Sequence, residues 1–138
     1  MKEKNNKSQN EPIFAYFQKS LKKLENFLQE PIQTERDQAG VIQAFEFTFE
    51  QFWKCLQKIS YFEGIEIASP RQALKIGIKL EFLDLKDEKL WLKMLEDRNL
   101  TSHTYREDYA LRISQDIKDI HVKLFKKALE KIVAHHPQ

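Results

Sequence analysis

The feature that most restricts the fold is a long run of apolar and aromatic residues at helical spacing, AGVIQAFEFTFEQFWKCLQKISYF, at residues 39–62. Its main apolar members recur every three or four positions, which predicts one long amphipathic helix. They are Val41, Ile42, Phe45, Phe49, Phe52, Leu56 and Ile59. Phe47, Trp53 and Tyr61 widen this stripe, so we expect much of the circumference to be buried against neighbours in the chain or in a partner.

One helix is predicted before this long one and three are predicted after it. The first covers residues 12–29, because Pro12 suits the first helical turn and Pro31 helps to end the helix. A polar connection at residues 33–38 leads into the long helix. Gly64 is placed to cap its carboxyl end, and an extended link follows at residues 65–68.

Ser69 and Pro70 give the start of a third helix, with serine as the cap and proline in the first turn. Gly77 within it allows another helix to approach closely. Its expected apolar members are Ala73, Leu74, Ile76, Leu80 and Leu83.

A turn at residues 84–87 separates the third helix from a fourth. The inward residues expected on the fourth are Leu90, Trp91, Met94 and Leu95. A last helix is predicted at residues 106–134. Its stripe consists of Tyr109, Ile113, Ile117, Ile120, Leu124, Ala128 and Ile132. The fold class expected is therefore all-α, an antiparallel bundle of about five helices at residues 12–134, between a disordered tail (1–11) and a short tail (135–138).

Composition excludes several other classes of protein. Three glycines and four prolines are too few for a turn-rich β-sandwich or barrel, and the single cysteine, Cys55, excludes an internal disulfide. Cys55 is expected to be a small buried side chain rather than a nucleophile. No apolar run approaches the roughly 20 residues of a membrane span, and the first residues do not form a secretory signal. We therefore expect a cytoplasmic protein without membrane contact.

The last helix becomes basic in its second half, but this is weak evidence for nucleic-acid binding. The lysines are Lys118, Lys123, Lys126, Lys127 and Lys131. No aromatic residues alternate with them as a base-stacking surface would require, and the net charge is only +2. A solvated face explains them equally well. The His135-His136 pair has no neighbouring carboxylate or thiol and does not suggest a metal site.

The segment RNLTSHTY, from Arg98 to Tyr105, is the place where chemistry is most expected, because a guanidinium, an imidazole and a phenol fall within eight residues. In a continuous helix, Arg98 and His103 would point about 140° apart. They can converge if the helix breaks between them, which Thr101 and Ser102 favour, or if two copies of the chain pair. The alternative is structural: Arg98 pairs with a neighbouring acidic residue, and His103 caps a helix.

The residue types in this segment suit RNA chemistry. Histidine can transfer the proton of a 2′-hydroxyl or of a leaving oxygen near neutral pH, and arginine can bind a phosphate through two N–H groups. Neither step requires a metal or a cofactor, and none is predicted. Glu46, Glu50 and Lys54 are spaced by four residues along the long helix. They form either a solvated ion-pair row or a source of one carboxylate for this polar site.

Three runs of the sequence resemble the HEPN-fold partners of minimal nucleotidyltransferases, a family of nucleotidyltransferase substrate-binding proteins. They are ERDQAGVIQAFEFTFEQFWKCLQ, EGIEIASPRQALKIG and LWLKMLEDRNLTSHTY, and the resemblance extends over residues 34–129. The last run carries the Arg-x-x-x-x-His-x-Tyr signature of the HEPN members of HEPN/MNT toxin–antitoxin pairs, here Arg98, His103 and Tyr105. Asn99 also matches the common pattern.

The resemblance implies a homodimer with Arg98 and His103 of both chains in one cleft. It implies a metal-independent endoribonuclease in which His103 is a general acid or base and Arg98 stabilises the phosphate, with RNA as the substrate. It further implies a minimal nucleotidyltransferase antitoxin that neutralises the toxin by transferring AMP to Tyr105. Asn99 and Ser102 are expected to support the site, as are Glu46 and Glu50.

The alternative interpretation is a non-catalytic subunit of a two-component nucleotidyltransferase. In that case the apolar surface of the long helix serves assembly, and the cleft near Arg98 and His103 binds a nucleotide or another anion. The sequence leaves the choice between the two open.

Overall fold

The computed structural model describes residues 11–103 and 107–135, apart from the side chains of His103 and Glu107. Over these residues the chain forms only helices, which confirms the all-α bundle expected from the sequence. The α-helices are α1 (Ala15–Leu28), α2 (Glu35–Phe62), α3 (Pro70–Lys79), α4 (Glu88–Leu100), α5 (Glu107–Asp116) and α6 (Val122–His135). Turns of 3₁₀ helix at Leu85–Asp87 and Thr101–His103 flank α4, and a π-helical turn, Ile117–His121, makes α5 and α6 one continuous rod.

The core is organised around Phe52, near the middle of α2. Its ring stacks on Trp91 of α4 with a centroid distance of 4.9 Å and an interplanar angle of 11°. It also contacts Phe17 of α1 at 5.4 Å and Phe125 of α6 at 5.5 Å. All four rings are fully buried. One side chain of the predicted stripe therefore connects three other helices, and the remaining members of that stripe are buried as expected.

The outer aromatic residues of α2 differ from the expectation. Phe47 is 56% exposed and Tyr61 is 68% exposed, whereas Trp53 is half-buried. Phe47 and Tyr61 lie away from the stripe, on the side of α2 that no other described helix covers. The expectation that they are buried within the chain is wrong.

The long helix begins at Glu35, four residues earlier than its apolar pattern, so residues 35–38 of the expected connection are helical. The cause is a reciprocal cap. The Thr34 hydroxyl accepts a hydrogen bond from the Asp37 N–H at 3.1 Å, and the Asp37 carboxylate accepts one from the Thr34 N–H at 2.9 Å. Hydrogen bonds from the backbone N–H groups of Gln33 and Thr34 lower the pKa of Asp37.

Several other boundaries agree with the sequence. Gly64 follows α2 with a φ of 79°, in the left-handed region that favours glycine. Pro70 stands at the start of α3, where the Ser69 hydroxyl accepts a hydrogen bond from the Gln72 N–H at 3.2 Å. On α4, Trp91, Met94 and Leu95 are buried, but Leu90 is 39% exposed, contrary to expectation.

Helix α3 ends at Lys79, before the last two residues of its predicted apolar set. The chain reverses at Glu81, whose φ of 66° lies in the left-handed region, and the N–H groups of Phe82 and Leu83 approach the Gly77 carbonyl at 2.9 and 3.1 Å. Leu83 is buried by folding back over Gly77 rather than by extending the helix. A methyl group at Gly77 would lie 3.0 Å from Leu83 and 3.2 Å from Leu56.

The π-helical turn changes which residues of the last rod are buried. A π turn inserts one residue into the helical repeat, so the buried stripe moves from Ile120, as predicted, to His121. Ile120 is only partly buried, whereas His121 is fully buried. The stripe then continues through Leu124 and Phe125. The prediction for Ile120 is therefore wrong by one position.

Substituting the two helical glycines by alanine tests the close approach at Gly77. We expect Gly77→Ala to lower the free energy of unfolding by about 1–3 kcal/mol, because the new methyl group overlaps Leu83. Gly40→Ala is the matched control, because its methyl group would meet Phe27 at an ordinary 3.6 Å. The control should gain about 0.5–1 kcal/mol from helix propensity. Urea unfolding measures both, and equal effects would contradict the packing described.

Candidate functional site

The residues around Arg98 lie where the last turn of α4 meets the middle of α2. The Nη2 atom of Arg98 lies 3.5 Å from an Oε atom of Glu50, and the guanidinium carbon lies 5.6 Å from the centre of the Phe49 ring. The Asn99 side-chain oxygen accepts a weak hydrogen bond from Nη1 at 3.4 Å. The Arg98 side chain stays 35% exposed. The guanidinium is thus held on one side by α2 and remains accessible to an anion.

Glu50 joins this site to two further residues of α2. Its carboxylate accepts a hydrogen bond from the Trp53 indole N–H at 3.1 Å and lies 3.6 Å from the Lys54 amine. Of the predicted row on α2, the pair of Glu50 with Lys54 is therefore formed. Glu50 also contacts Arg98 of α4. Among the described residues, Arg98 pairs with Glu50 rather than with an acidic neighbour in sequence. Exposed pairs of this kind stabilise a fold by only about 0.2–1 kcal/mol each.

Between Arg98 and His103 the helix tightens into a 3₁₀ turn without a break, and the convergence of the two side chains stays a prediction. Helix α4 ends at Leu100, and Thr101–His103 forms a 3₁₀ turn. The Thr101 hydroxyl lies 2.8 Å from an Oε atom of Glu46 and 2.6 Å from the Arg98 carbonyl oxygen, two acceptors for its one proton. Ser102 donates a hydrogen bond to the Asn99 carbonyl at 3.3 Å. Thus Glu46 contacts the turn rather than the Arg98 guanidinium.

Two of the predicted residues are described in part or not at all. The backbone of His103 belongs to the 3₁₀ turn directly after α4, but its side chain lies outside the described part of the chain. Tyr105 lies wholly outside it. The structure thus brings together Arg98, Asn99 and Glu50. The backbone of His103 lies at the end of the 3₁₀ turn that follows them.

A buried charged network lies directly beneath this site. Asp97, which precedes Arg98, is 1% exposed. Its Oδ2 atom lies 2.7 Å from Nε2 of the fully buried His121, and its Oδ1 atom lies 3.1 Å from Nη1 of Arg112. The same Arg112 nitrogen lies 3.1 Å from Asp116, which also pairs with Lys93 at 3.3 Å. We call these five residues the Asp97 network.

The ring of His121 is held by two different partners. It stacks on Phe45 of α2, with a centroid distance of 5.4 Å and an interplanar angle of 23°. Its Nε2 atom binds Asp97, whereas Nδ1 has no hydrogen-bond partner among the described residues. Burial by itself would raise the pKa of the Asp97 carboxyl. The hydrogen bond with His121 and the charges of His121 and Lys93 outweigh burial, so this pKa lies below its ordinary value.

The Asp97 network contains ligand types that metals use, but its cations already occupy the relevant position. Asp97, Asp116 and His121 offer atoms that lie within 4.8 Å of one another. However, the Arg112 guanidinium bridges the two carboxylates at 3.1 Å, where a metal ion would have to bind. Lys93 supplies a second positive charge to Asp116. The arrangement is that of an ion-pair network in which Asp97 and His121 are buried and the cations Arg112 and Lys93 reach the surface.

Comparison with known families gives the chain a classification. The family model described as nucleotidyltransferase substrate binding protein like matches residues 13–134. This chain belongs to that family. Its members are described by their relation to a nucleotidyltransferase, which supports the nucleotidyltransferase partner expected from the sequence resemblance.

A solved structure supports the same assignment for this substrate-binding-like protein. A crystal structure of a protein from Thermus thermophilus superposes with a TM-score of 0.77 and is 32% identical in sequence. The similarity covers 84% of this chain and 98% of the Thermus chain. No curated protein matches this chain. The comparisons therefore establish the family and the fold of this chain.

Sequence patterns do not reveal the Asp97 network, although one of its residues lies next to the predicted catalytic arginine. In the sequence, Asp97 stands out only as a neighbour that could pair with Arg98. His121 falls outside the predicted apolar stripe, because the stripe assumes an uninterrupted α-helix. For Asp97 a signal exists, because an acidic residue at that position interrupts the apolar face of the predicted fourth helix. Its contact with His121 becomes visible only with the π turn.

The basic half of the last helix is engaged in ion pairs over much of its length. Lys126 pairs with Glu25 of α1 at 3.4 Å, and Lys127 lies 3.0 Å from Asp84 and 2.6 Å from Asp87. Lys131 also pairs with Asp84. These contacts favour a structural role for these lysines over a nucleic-acid surface. No helix among the described residues is long and apolar enough to span a membrane.

Removing the charge of Asp97 tests the network. We expect Asp97→Asn to lower the free energy of unfolding at pH 7 by about 1–3 kcal/mol, because Arg112 and His121 lose a buried charged partner. Because the folded-state pKa of Asp97 is lowered, its contribution is complete above the unfolded value of about 3.9 and is lost as pH falls through the folded value. Denaturation measured from pH 7 to pH 2 should therefore show a smaller acid destabilisation in Asp97→Asn than in wild type. Parallel pH profiles would contradict this assignment.

Proposed function

We propose that this protein is a metal-independent endoribonuclease of the HEPN toxin type that works with a minimal nucleotidyltransferase antitoxin. The observation that carries the proposal is the placement of Arg98. Its guanidinium lies against Phe49 and Glu50 yet remains accessible, and the helix changes pitch directly before His103. An accessible cation and an imidazole a few residues apart at a helix end suit a phosphodiester substrate.

The proposed reaction is an internal transfer within RNA. His103 accepts the proton of a 2′-hydroxyl, and the 2′-oxygen attacks the adjacent phosphorus. The bond from phosphorus to the 5′-oxygen breaks, and a protonated imidazole returns a proton to that leaving oxygen. The products are a 2′,3′-cyclic phosphate and a 5′-hydroxyl. Arg98 stabilises the charge on the phosphate oxygens in the transition state.

The reaction uses an acid and a base, which is the reason for proposing a homodimer with both His103 residues in one cleft. The exposed aromatic ring of Phe47 supports this arrangement. Phe47 follows Glu46 and precedes Glu50 by about one turn, so the uncovered side of α2 borders the Arg98 site. Aromatic residues are enriched at protein interfaces. A second copy seated on this face would bring the two Arg98 sites near each other.

The proposed regulation is transfer of AMP to Tyr105. The phenol oxygen attacks the α-phosphorus of ATP, pyrophosphate leaves, and a phosphodiester forms on the tyrosine. Tyr105 is two residues from His103 in the sequence, so the modification adds a negative charge and a bulky nucleotide beside the cationic site. RNA would then be excluded by repulsion and by occlusion.

RNA cleavage by purified variants tests the proposal. Unmodified protein, produced without its nucleotidyltransferase, should cleave RNA in the presence of EDTA and leave cyclic phosphate ends. His103→Ala should lower kcat by about 100- to 10,000-fold, because proton transfer is lost. Arg98→Lys should also lose activity, because lysine keeps the charge but cannot bind phosphate through two parallel N–H groups.

His135→Ala is the matched control for the loss of an imidazole. His135 lies at the far end of α6 with its ring edge-on to Phe82 at 5.2 Å, away from Arg98. This variant should cleave RNA as wild type does. Sedimentation of the same samples reports whether the active species is a dimer. Absence of cleavage by the unmodified dimer, or cleavage that survives His103→Ala, rules out the ribonuclease.

The intact mass of the protein tests the proposed regulation. Co-expression with the neighbouring nucleotidyltransferase gene should add one or more adenylate groups, located on Tyr105 by peptide sequencing, and should abolish RNA cleavage. Tyr105→Phe removes only the phenolic oxygen, so this variant should stay unmodified and active. An adenylate found on another residue, or full ribonuclease activity in the modified protein, would contradict the mechanism.

A second candidate function is a non-catalytic subunit that presents a substrate to the nucleotidyltransferase. The exposed rings of Phe47 and Tyr61 on α2 favour it, because they offer an apolar surface on which the nucleotidyltransferase can dock. In this case the purified chain binds the nucleotidyltransferase and a nucleotide but cleaves no RNA. Two measurements distinguish this subunit from the ribonuclease. In titration calorimetry with the nucleotidyltransferase and ATP, Arg98→Ala should weaken nucleotide binding to the complex. In the RNA cleavage assay, wild type and His103→Ala should both leave RNA intact.

A further inference from the structure

We propose that Asp97, Arg112 and His121 are positioning residues that fix Arg98 for its anionic substrate. The inference rests on the proposed function of the Arg98 site and adds the residues that hold it. None of the three contacts the proposed substrate position. Each acts through the backbone of the last turn of α4.

The end of α4 is anchored to the rest of the protein through Asp97. All residues of α4 are described, and its buried side chains are Trp91, Met94, Leu95 and, last, Asp97. The fully buried apolar contacts therefore end about one turn before Arg98. Beyond them, the strongest anchor is a carboxylate with both oxygens engaged, by His121 at 2.7 Å and by Arg112 at 3.1 Å. Rotation or sliding of this turn would break both contacts of Asp97. Its carboxylate would then be a buried charge without a partner, which is costly.

The contacts that the Arg98 side chain makes are too weak to hold its guanidinium in one orientation. Its distances to Glu50 and Asn99 are 3.5 and 3.4 Å, and the side chains concerned are partly exposed. Screened contacts of this kind contribute little. The orientation of the guanidinium therefore depends on where the helix backbone lies, and Asp97 determines that position one residue earlier.

The ion pair between Asp97 and Arg112 also connects two helices. Asp97 stands in the last turn of α4 and Arg112 in α5, and their charged atoms lie 3.1 Å apart. The end of α4 that carries Arg98 is thus held against α5 as well as through His121.

The π-helical turn directs the side chain of His121 into the core, towards Asp97. His121 is the last residue of the turn and is held between Asp97 and the ring of Phe45. Phe45 precedes Phe49 by one turn of α2, and Phe49 lies under the Arg98 guanidinium. Helix α2 therefore supports adjacent parts of this region through two aromatic rings, one beneath the network and one beneath the site.

A double-mutant cycle on RNA cleavage distinguishes positioning from general stabilisation. Arg112→Gln is the first variant, because Arg112 is partly exposed and its loss leaves the core apolar residues unchanged. We expect kcat to fall by about 100-fold, as for a catalytic group displaced by about 1 Å, with a smaller change in KM. In the Arg98→Ala background the same substitution should cause no further loss, because the effect operates through Arg98.

Conservative variants sharpen the test. His121→Gln keeps a side-chain N–H donor that can reach Asp97, whereas His121→Phe keeps the stacking on Phe45 and removes the donor. We expect Gln to retain more activity than Phe, and Arg112→Lys to retain more than Arg112→Gln. Ile132→Val is the control for lost stability, because Ile132 is buried on α6 far along the rod from Arg98. It should lower Tm without changing kcat at 25 °C.

The indole N–H of Trp53 provides a readout that does not depend on catalysis. It donates a hydrogen bond to Glu50, which in turn contacts Arg98. The chain has two tryptophans, so ¹⁵N–¹H spectra show two indole signals, and Trp53→Phe assigns them. Arg98→Ala should shift the Trp53 signal. Arg112→Gln and His121→Phe should shift it in the same direction, and Ile132→Val should not.

The two readouts separate failure of this inference from failure of the proposed function. If wild-type protein cleaves no RNA but the Trp53 signal follows the network variants, the positioning role stands and the ribonuclease does not. If folded Arg112→Gln and His121→Phe retain both wild-type kcat and the wild-type Trp53 signal, the positioning role is overturned. Additive losses in the Arg98→Ala background would overturn it as well.

Discussion

The structure depends most on the ring of Phe52. This side chain contacts Phe17, Trp91 and Phe125, so a single position on α2 determines how α1, α4 and α6 approach it. Aromatic rings of this size bury large apolar areas and pack only in a few relative orientations. The stacking on Trp91, with an angle of 11° between the rings, places the first half of α4. The second half of α4 carries the site, and it is held differently.

Along α4 the type of anchor changes from apolar to charged. Up to Leu95 the helix is held by burial of hydrocarbon, and from Asp97 onward the Asp97 network is added to the partly buried Leu100 and to the contact of Thr101 with Glu46. Replacing a buried charge pair by apolar residues of similar volume is often neutral or stabilising, so the value of such a pair lies in its geometry where it has one. Hydrocarbon contacts tolerate small rotations of a helix, whereas two short bonds to one carboxylate do not. This change therefore suits a segment in which the direction of the next side chain, Arg98, matters.

The sequence predicts most of the fold and part of the site, and the differences have identifiable physical causes. Helical periodicity is sufficient for α2, whose stripe is buried as expected, because 24 residues with regular apolar spacing leave little ambiguity. It fails at His121, because periodicity assumes 3.6 residues per turn and the π turn does not obey it. It also misjudges Phe47, since an apolar residue on a surface looks the same in sequence as one in a core. Arg98 could be found from its neighbours in sequence, but its contact with Glu50, on another helix, depends on tertiary packing.

Asp97 and Arg98 are adjacent in sequence and opposite in charge, yet each pairs with a residue of another helix. Successive residues of a helix point about 100° apart, so one side chain can enter the interior while the next faces the cleft beside α2. The carboxylate pairs with Arg112 and is hydrogen-bonded to His121, which leaves the guanidinium of Arg98 to Glu50 and to an incoming anion. Had Asp97 been exposed, it would have been the nearest competitor for Arg98. Burying it beside its own partners both anchors the helix and preserves the positive charge that an RNA or nucleotide phosphate would require.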